Sequence, residues 1–72
     1  MDFSSRLKEI RKSKGLTQKQ LAQALGAATE RGIQSYELGE REPAFKQLLT
    51  LADYFDVSLD YLVGRSDVAE RR

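Results

Sequence analysis

Cysteine and histidine are both absent from the 72 residues. Without cysteine there is no disulfide framework and no thiolate metal site. Without histidine there are no imidazole ligands, no imidazole general base and few ways to activate a nucleophile. Carboxylates, lysines and hydroxyls remain, but so short a chain has no room for a deep pocket. Neither catalysis nor a cofactor is therefore expected, and no residue is assigned to a reaction or a metal. The lack of cysteine suits a reducing compartment. No apolar run approaches the roughly 20 residues that span a bilayer, and Met-Asp-Phe-Ser-Ser at the start is no apolar signal segment. A soluble cytoplasmic protein with no membrane partner is the expectation.

Net charge is also small, at +1, but it is unevenly spread. Residues 1 to 31 hold Arg6, Lys8, Arg11, Lys12, Lys14, Lys19 and Arg31 against three acids, a net of +4. Residues 32 to 66 carry three basic residues against six acids, a net of −3. One end is suited to face phosphate and the other to face away from it. A domain this small buries only roughly 60% of the surface its unfolded chain exposes, so it must pack efficiently or dimerise.

Sustained two-residue alternation, internal repeats and low-complexity tracts are missing too; what is present is helical periodicity with stop signals. Asp2 to Lys14 reads as an amphipathic helix capped by Asp2 or Ser4, with Phe3, Leu7 and Ile10 on its apolar stripe and Gly15 as its stop. Arg11 lies at the edge of that stripe and needs a partner. Thr17 can cap a second helix over about Gln18 to Leu25, ended by Gly26, and Thr29 can cap a third over about Glu30 to Leu38, ended by Gly39. The only proline, Pro43, precedes a fourth helix over about Ala44 to Phe55, with a wide apolar face of Phe45, Leu48, Leu49, Leu51, Ala52 and Phe55. Ser58 caps a short fifth helix with Leu59, Tyr61, Leu62 and Val63, up to Gly64. The expected architecture is all-α, a compact five-helix domain over residues 1–64, followed by a polar tail over 65–72 that frays.

The segment from Leu16 to Glu37 organises the rest. Ile33 and Tyr36 anchor the third helix inward, while Glu30, Arg31, Gln34 and Ser35 project outward. A polar helix face on a tight two-helix hairpin is the helix-turn-helix plan for entering a DNA major groove. Asp53, Asp56 and Asp60 read as a solvated acidic face, not a cation site. Tyr36, Tyr54 and Tyr61 read as core and rim, not as base-stacking platforms.

The runs Arg6-Leu7-Lys8-Glu9-Ile10-Arg11, Gly15-Leu16-Thr17-Gln18-Lys19-Gln20-Leu21-Ala22, Leu25-Gly26, Ile33-Gln34-Ser35-Tyr36-Glu37-Leu38-Gly39 and Val57-Ser58-Leu59-Asp60-Tyr61-Leu62 resemble the lambda-repressor-like, Cro and Xre type, helix-turn-helix domains. The match spans about residues 3 to 64. The family consists mainly of prokaryotic and phage transcriptional regulators that bind palindromic operators as dimers. The resemblance implies a DNA-contact set of Thr17, Gln18, Lys19, Thr29, Glu30, Arg31, Gln34, Ser35 and Arg41. In it, Gln18 meets a phosphate at a helix N-terminus and braces the third helix. Arg31 is suited to guanine O6 and N7, and Glu30 to a cytosine amine, each contact contributing ~1 to 3 kcal/mol of discrimination. Arg41 matches a phosphate-contacting loop. Arg11 and Glu37 match a structural ion pair; Leu59, Leu62 and Val63 match a dimer interface, the alternative being that the same three residues close the core.

This sequence departs from the family in the turn. Six residues separate Gly26 from Ile33 where five are usual. Either Ala27 or Ala28 is an extra turn residue, or the third helix starts a residue early. Gly32 stands where a small hydroxyl residue is usual, which either allows a close approach to helix two or DNA or is a tolerated substitution. The function expected is a sequence-specific DNA-binding regulator acting as a repressor and a homodimer. The alternative is a protein-interaction module on the same fold, an antitoxin partner or co-regulator with weak or no DNA binding; the small net charge and the acidic C-terminal half motivate it.

Overall fold

The computed structural model describes residues 2–26 and 28–70. Five helices follow in order: α1 (Phe3–Ser13), α2 (Gln18–Leu25), α3 (Glu30–Leu38), α4 (Phe45–Phe55) and α5 (Leu59–Leu62). Four of the five starts are fixed by a side-chain oxygen accepting from a backbone N–H of the first turn: Asp2 from Ser5, Thr17 from Gln20, Thr29 from Gly32 and Ser58 from Tyr61. Each such cap contributes about 1 kcal/mol by meeting a donor that the helix leaves orphaned. Asp2, not Ser4, caps α1, and the adjacent N–H lowers the Asp2 carboxyl pKa below its ordinary value. At α2, Gln20 also accepts from the Thr17 N–H at 2.8 Å, completing a reciprocal capping box.

The helices converge on a small core to which each gives one fully buried aliphatic side chain: Leu7, Leu21, Ile33, Leu51 and Leu62. Burial of a side chain of this kind contributes ~1.5 to 3 kcal/mol, so these five form the apolar centre of stability. Ile10, Ala22, Ala52, Phe55 and Val57 surround them. α3 lies against both α1 and α2, and α5 against α1 and α4. Gly39 closes α3 in the left-handed region at φ +77°, where a side chain would be strained. Asp56 does the same for α4 at φ +56°, a conformation that aspartate tolerates better than most residues.

One expectation for the apolar surface is corrected, and one open alternative is decided. Phe45, assigned to the inner face of α4, is 65% exposed. It occupies the first turn, ahead of the point where Leu48, Leu51, Ala52 and Phe55 meet the core, and it shares its exposed flank with Leu49. Leu62, for which the sequence leaves a dimer interface and core closure both open, has no exposed surface to offer a second copy and closes the core from α5. Leu59 and Val63 are half-buried.

The segment after Gly64, expected to fray, makes contacts with the domain up to Ala69. The Ser58 N–H donates to the Ala69 carbonyl at 2.9 Å. Arg6 donates to the Ser66 carbonyl and to Asp67, and its guanidinium lies 3.8 Å from the centroid of the Tyr61 ring. At 3% exposure, Arg6 is a buried cation that the sequence reading left unassigned. The signal was present: it is three residues after Phe3 and four before Ile10, hence on the same helix stripe. Arg71 and Arg72 lie outside the described residues.

Candidate nucleic-acid interface

Local chemistry sets the geometry of the interface before any ligand is considered. Thr17 and Thr29 start α2 and α3 in extended backbone, and both hydroxyls are engaged by first-turn N–H groups. The cap at Thr29 puts Ile33 four positions later in the core, with Glu30, Arg31 and Gln34 exposed. α3 therefore begins at Glu30 and not a residue early, and the additional residue belongs to the turn between Gly26 and Thr29. Ala28 packs half-buried against the core, and Ala27 lies outside the described residues.

Gly32 is buried, and a Cβ built on it would meet the Thr29 hydroxyl at 3.2 Å. The close approach anticipated there is to the cap of its own helix, not to α2. A methyl group would crowd the oxygen that accepts from the Gly32 N–H at 3.0 Å. The helix-propensity cost of glycine, roughly 0.5 to 1 kcal/mol against alanine, is thus set against an undisturbed cap.

The orientation of α3 is fixed from beneath by Glu37. Its side chain is 3% exposed, and Arg11 donates to both of its oxygens, Nε to Oε2 at 2.6 Å and Nη2 to Oε1 at 3.0 Å. The Gln18 amide adds a third donor to Oε1 at 3.2 Å, and Arg11 Nη1 donates to the Leu16 carbonyl at 2.8 Å. One carboxylate thereby joins α1, the first residue of α2 and the last turn of α3. The Glu37 hydrogen bonds raise the Arg11 pKa above its ordinary value, with burial opposing them, so the guanidinium is held in its charged form. The pairing of Arg11 with Glu37 is the anticipated one. The Leu16 carbonyl was not anticipated, since no side-chain pattern marks a backbone acceptor.

Above this buried junction the polar residues are held differently. Lys19, Glu30, Arg31 and Gln34 are exposed and make no side-chain hydrogen bond or ion pair among the described residues. Ser35 is half-buried, and its carbonyl accepts from the Glu40 N–H at 3.0 Å where the chain reverses after α3. Arg41 is exposed in the following loop, its guanidinium 5.7 Å from the centroid of the half-buried Tyr36 ring. The amide of Gln18 faces Glu37, leaving the backbone N–H groups of Gln18 and Lys19 as the open donors at the start of α2.

Two capped helices in tight contact, the second with a solvent-facing polar side and a buried carboxylate fixing its angle, make up a helix-turn-helix unit. A helix-turn-helix family model matches residues 7–62. The HTH-type transcriptional regulator ImmR of Bacillus subtilis (strain 168) is 37% identical over 71 residues, 99% of this chain and 55% of its own length. The uncharacterized HTH-type transcriptional regulator YqaE of the same organism is 49% identical over 61 residues, 85% of this chain and 52% of its own. Among solved structures, the P22 c2 repressor protein in complex with synthetic operator 9T superposes with a TM-score of 0.83 at 27% identity, covering 92% of this chain and 98% of that one. A transcriptional regulator from Listeria innocua gives a TM-score of 0.80 at 36% identity, over 88% of this chain and 58% of that one. The chain belongs to the Cro/Xre type of helix-turn-helix transcriptional regulators, homologous to the lambda-like repressors. It spans about half the length of the curated relatives it matches. Among the described residues no helix is long and apolar enough to cross a membrane.

Proposed function

We propose that this domain is the operator-reading part of a transcriptional repressor, and that α3 enters the major groove of a palindromic site bound by two copies. The observation that carries the reading is the contrast within α3: Glu37 is buried and held by three donors, while Glu30, Arg31 and Gln34 are exposed and uncommitted. A recognition helix needs both properties, because a fixed angle preorganises side chains that must still be free to meet base edges. Arg31 pairs with guanine, and Glu30 accepts from cytosine. Lys19, the open N–H groups of Gln18 and Lys19, the Thr17 and Thr29 caps, Ser35 and Arg41 contribute phosphate or groove contacts that set register. The P22 c2 repressor, bound to its synthetic operator, supports this mode of docking.

Dimerisation uses the half-buried Leu59 of α5 and Val63 just after it, without Leu62. A sedimentation series that finds a monomer at every concentration would confine pairing to the DNA-bound state. The small net charge favours the second reading, a protein-interaction module. The experiment that separates the two is a binding titration on duplex DNA at several salt concentrations. Wild-type affinity should fall steeply with salt, and Arg31→Ala should cost ~1 to 3 kcal/mol at one or two base positions. A stoichiometric protein partner together with no retained duplex would reverse the choice.

A further inference from the structure

We propose that Tyr36 is a positioning residue for Arg41, its ring serving as a platform that holds the guanidinium ready for a DNA phosphate. The inference rests on the DNA-binding reading above. Four observations lead to it. Gly39, left-handed at φ +77°, ends α3, and its N–H donates to the Tyr36 carbonyl while that of Glu40 donates to the Ser35 carbonyl, so the chain reverses within three residues of Tyr36. The reversal returns Arg41 to the Tyr36 ring at 5.7 Å, within the range of a cation–π contact. Arg41 is flanked in sequence by Glu40 and Glu42, yet it forms an ion pair with neither, so its charge is not neutralised locally. Tyr36 itself packs against the core, so the platform is anchored to the helix whose angle Glu37 fixes.

The other tyrosine–arginine pair among the described residues shows what a structural version looks like. Arg6 over Tyr61 is closer, at 3.8 Å, is buried, and gives its N–H groups to Ser66 and Asp67. Arg41 is exposed with its donors open. A long side chain in a loop loses rotamer freedom when it binds phosphate. A ring already beneath it removes part of that cost, while hydrogen-bonding capacity stays intact because the π face uses no N–H group.

A double-mutant cycle on DNA affinity tests the proposal. Tyr36→Leu should weaken binding about two- to five-fold with base preference unchanged, and Tyr36→Phe, which keeps the ring, should restore affinity to within about two-fold of wild type. Arg41→Ala should reduce the slope of log affinity against log salt by about 1. In the Arg41→Ala background, Tyr36→Leu should have little further effect. Equal losses from Tyr36→Leu in both backgrounds, or no rescue by phenylalanine, would overturn the positioning role. The free wild-type protein gives a check that needs no variant: the Arg41 Hδ protons should be shifted upfield by the ring, and unshifted resonances would overturn the proposal even if Tyr36→Leu fails to fold. Failure of the underlying reading looks different, since the wild-type chain would then bind no duplex in a salt-dependent way.

Discussion

The half of the molecule built from α1, α2 and α3 and the half built from α4 and α5 are stabilised by different means. In the first, every helix start has a side-chain cap, and the Glu37 junction ties all three helices with charged hydrogen bonds. In the second, Ser58 caps α5, but α4 follows Ala44 with no side-chain cap, and its outer flank leaves Phe45 and Leu49 in water. The second half is held by apolar packing of Leu51, Phe55 and Leu62, helped by the segment that Arg6 and Ser58 pin back. The contrast teaches where directional contacts are needed. Apolar packing sets distance but is tolerant of angle, whereas a carboxylate that receives three donors sets angle as well. The half proposed to read DNA has the angular constraint.

The largest effect that would break this contrast is at the junction. Glu37→Ala leaves Arg11 buried with only the Leu16 carbonyl as acceptor, and loss of one partner of a buried pair costs ~3 to 5 kcal/mol. A domain of this size has only ~4 to 11 kcal/mol in total, so the thermal midpoint should collapse. Replacing both partners, as Arg11→Met with Glu37→Leu, should recover most of the stability in a denaturant titration, since burying the pair costs desolvation on both sides. If the double variant folds and still binds DNA as well as wild type, the junction has no orienting role.

A middle-sized pair of substitutions compares the helix starts directly. Thr29→Ala should lose about 1 kcal/mol of stability by orphaning the Gly32 N–H, and Ala44→Ser should gain a similar amount by supplying the cap that α4 lacks. In melting temperature each corresponds to a shift of about 4 to 8 °C in opposite directions. A melt in which both changes are neutral would remove capping as a difference between the halves.

The smallest effect concerns pH. The Asp2 carboxyl has its pKa lowered from 3.8, chiefly by the hydrogen bond from the Ser5 N–H. A depressed pKa means that this group stabilises the fold fully above its ordinary value and progressively less as pH falls through the folded value. Stability measured from pH 6 down to pH 3 should therefore show a small loss that Asp2→Asn, which keeps an acceptor but no charge, lacks. Arg11 has the opposite sign: the Glu37 hydrogen bonds raise its pKa above the ordinary value, so its contribution is fully present across this acid range.

Much of the fold was legible because its boundaries are written in caps and glycines. Thr17, Gly26, Thr29 and Gly39 define α2 and α3 to the residue, each through a donor or a backbone conformation that few other residues supply. Burial on α4 and α5 was less legible. Phe45 and Leu48 look alike in a periodic pattern, and only the arrangement of the other helices makes one exposed and the other packed. Leu62 fits a core or an interface equally well until the neighbours are known. The burial of Arg6 is not legible in the pattern, because a cation on an apolar stripe is ordinarily a solvated edge; here Tyr61 and a segment some 60 residues later cover it. In the candidate interface, the exposed positions followed from spacing, but the hold of Gln18 on Glu37 depends on the crossing of two helices, which periodicity does not encode.

The most direct test of the central claim is a selection of bound duplexes from random DNA, run side by side with wild type and Arg31→Ala. The account predicts that wild type enriches a two-fold symmetric sequence and that the variant loses preference at one symmetry-related pair of positions, with the rest of the site retained. Enrichment of no sequence by wild type, or of the same sequence with the same preference by both proteins, would contradict it.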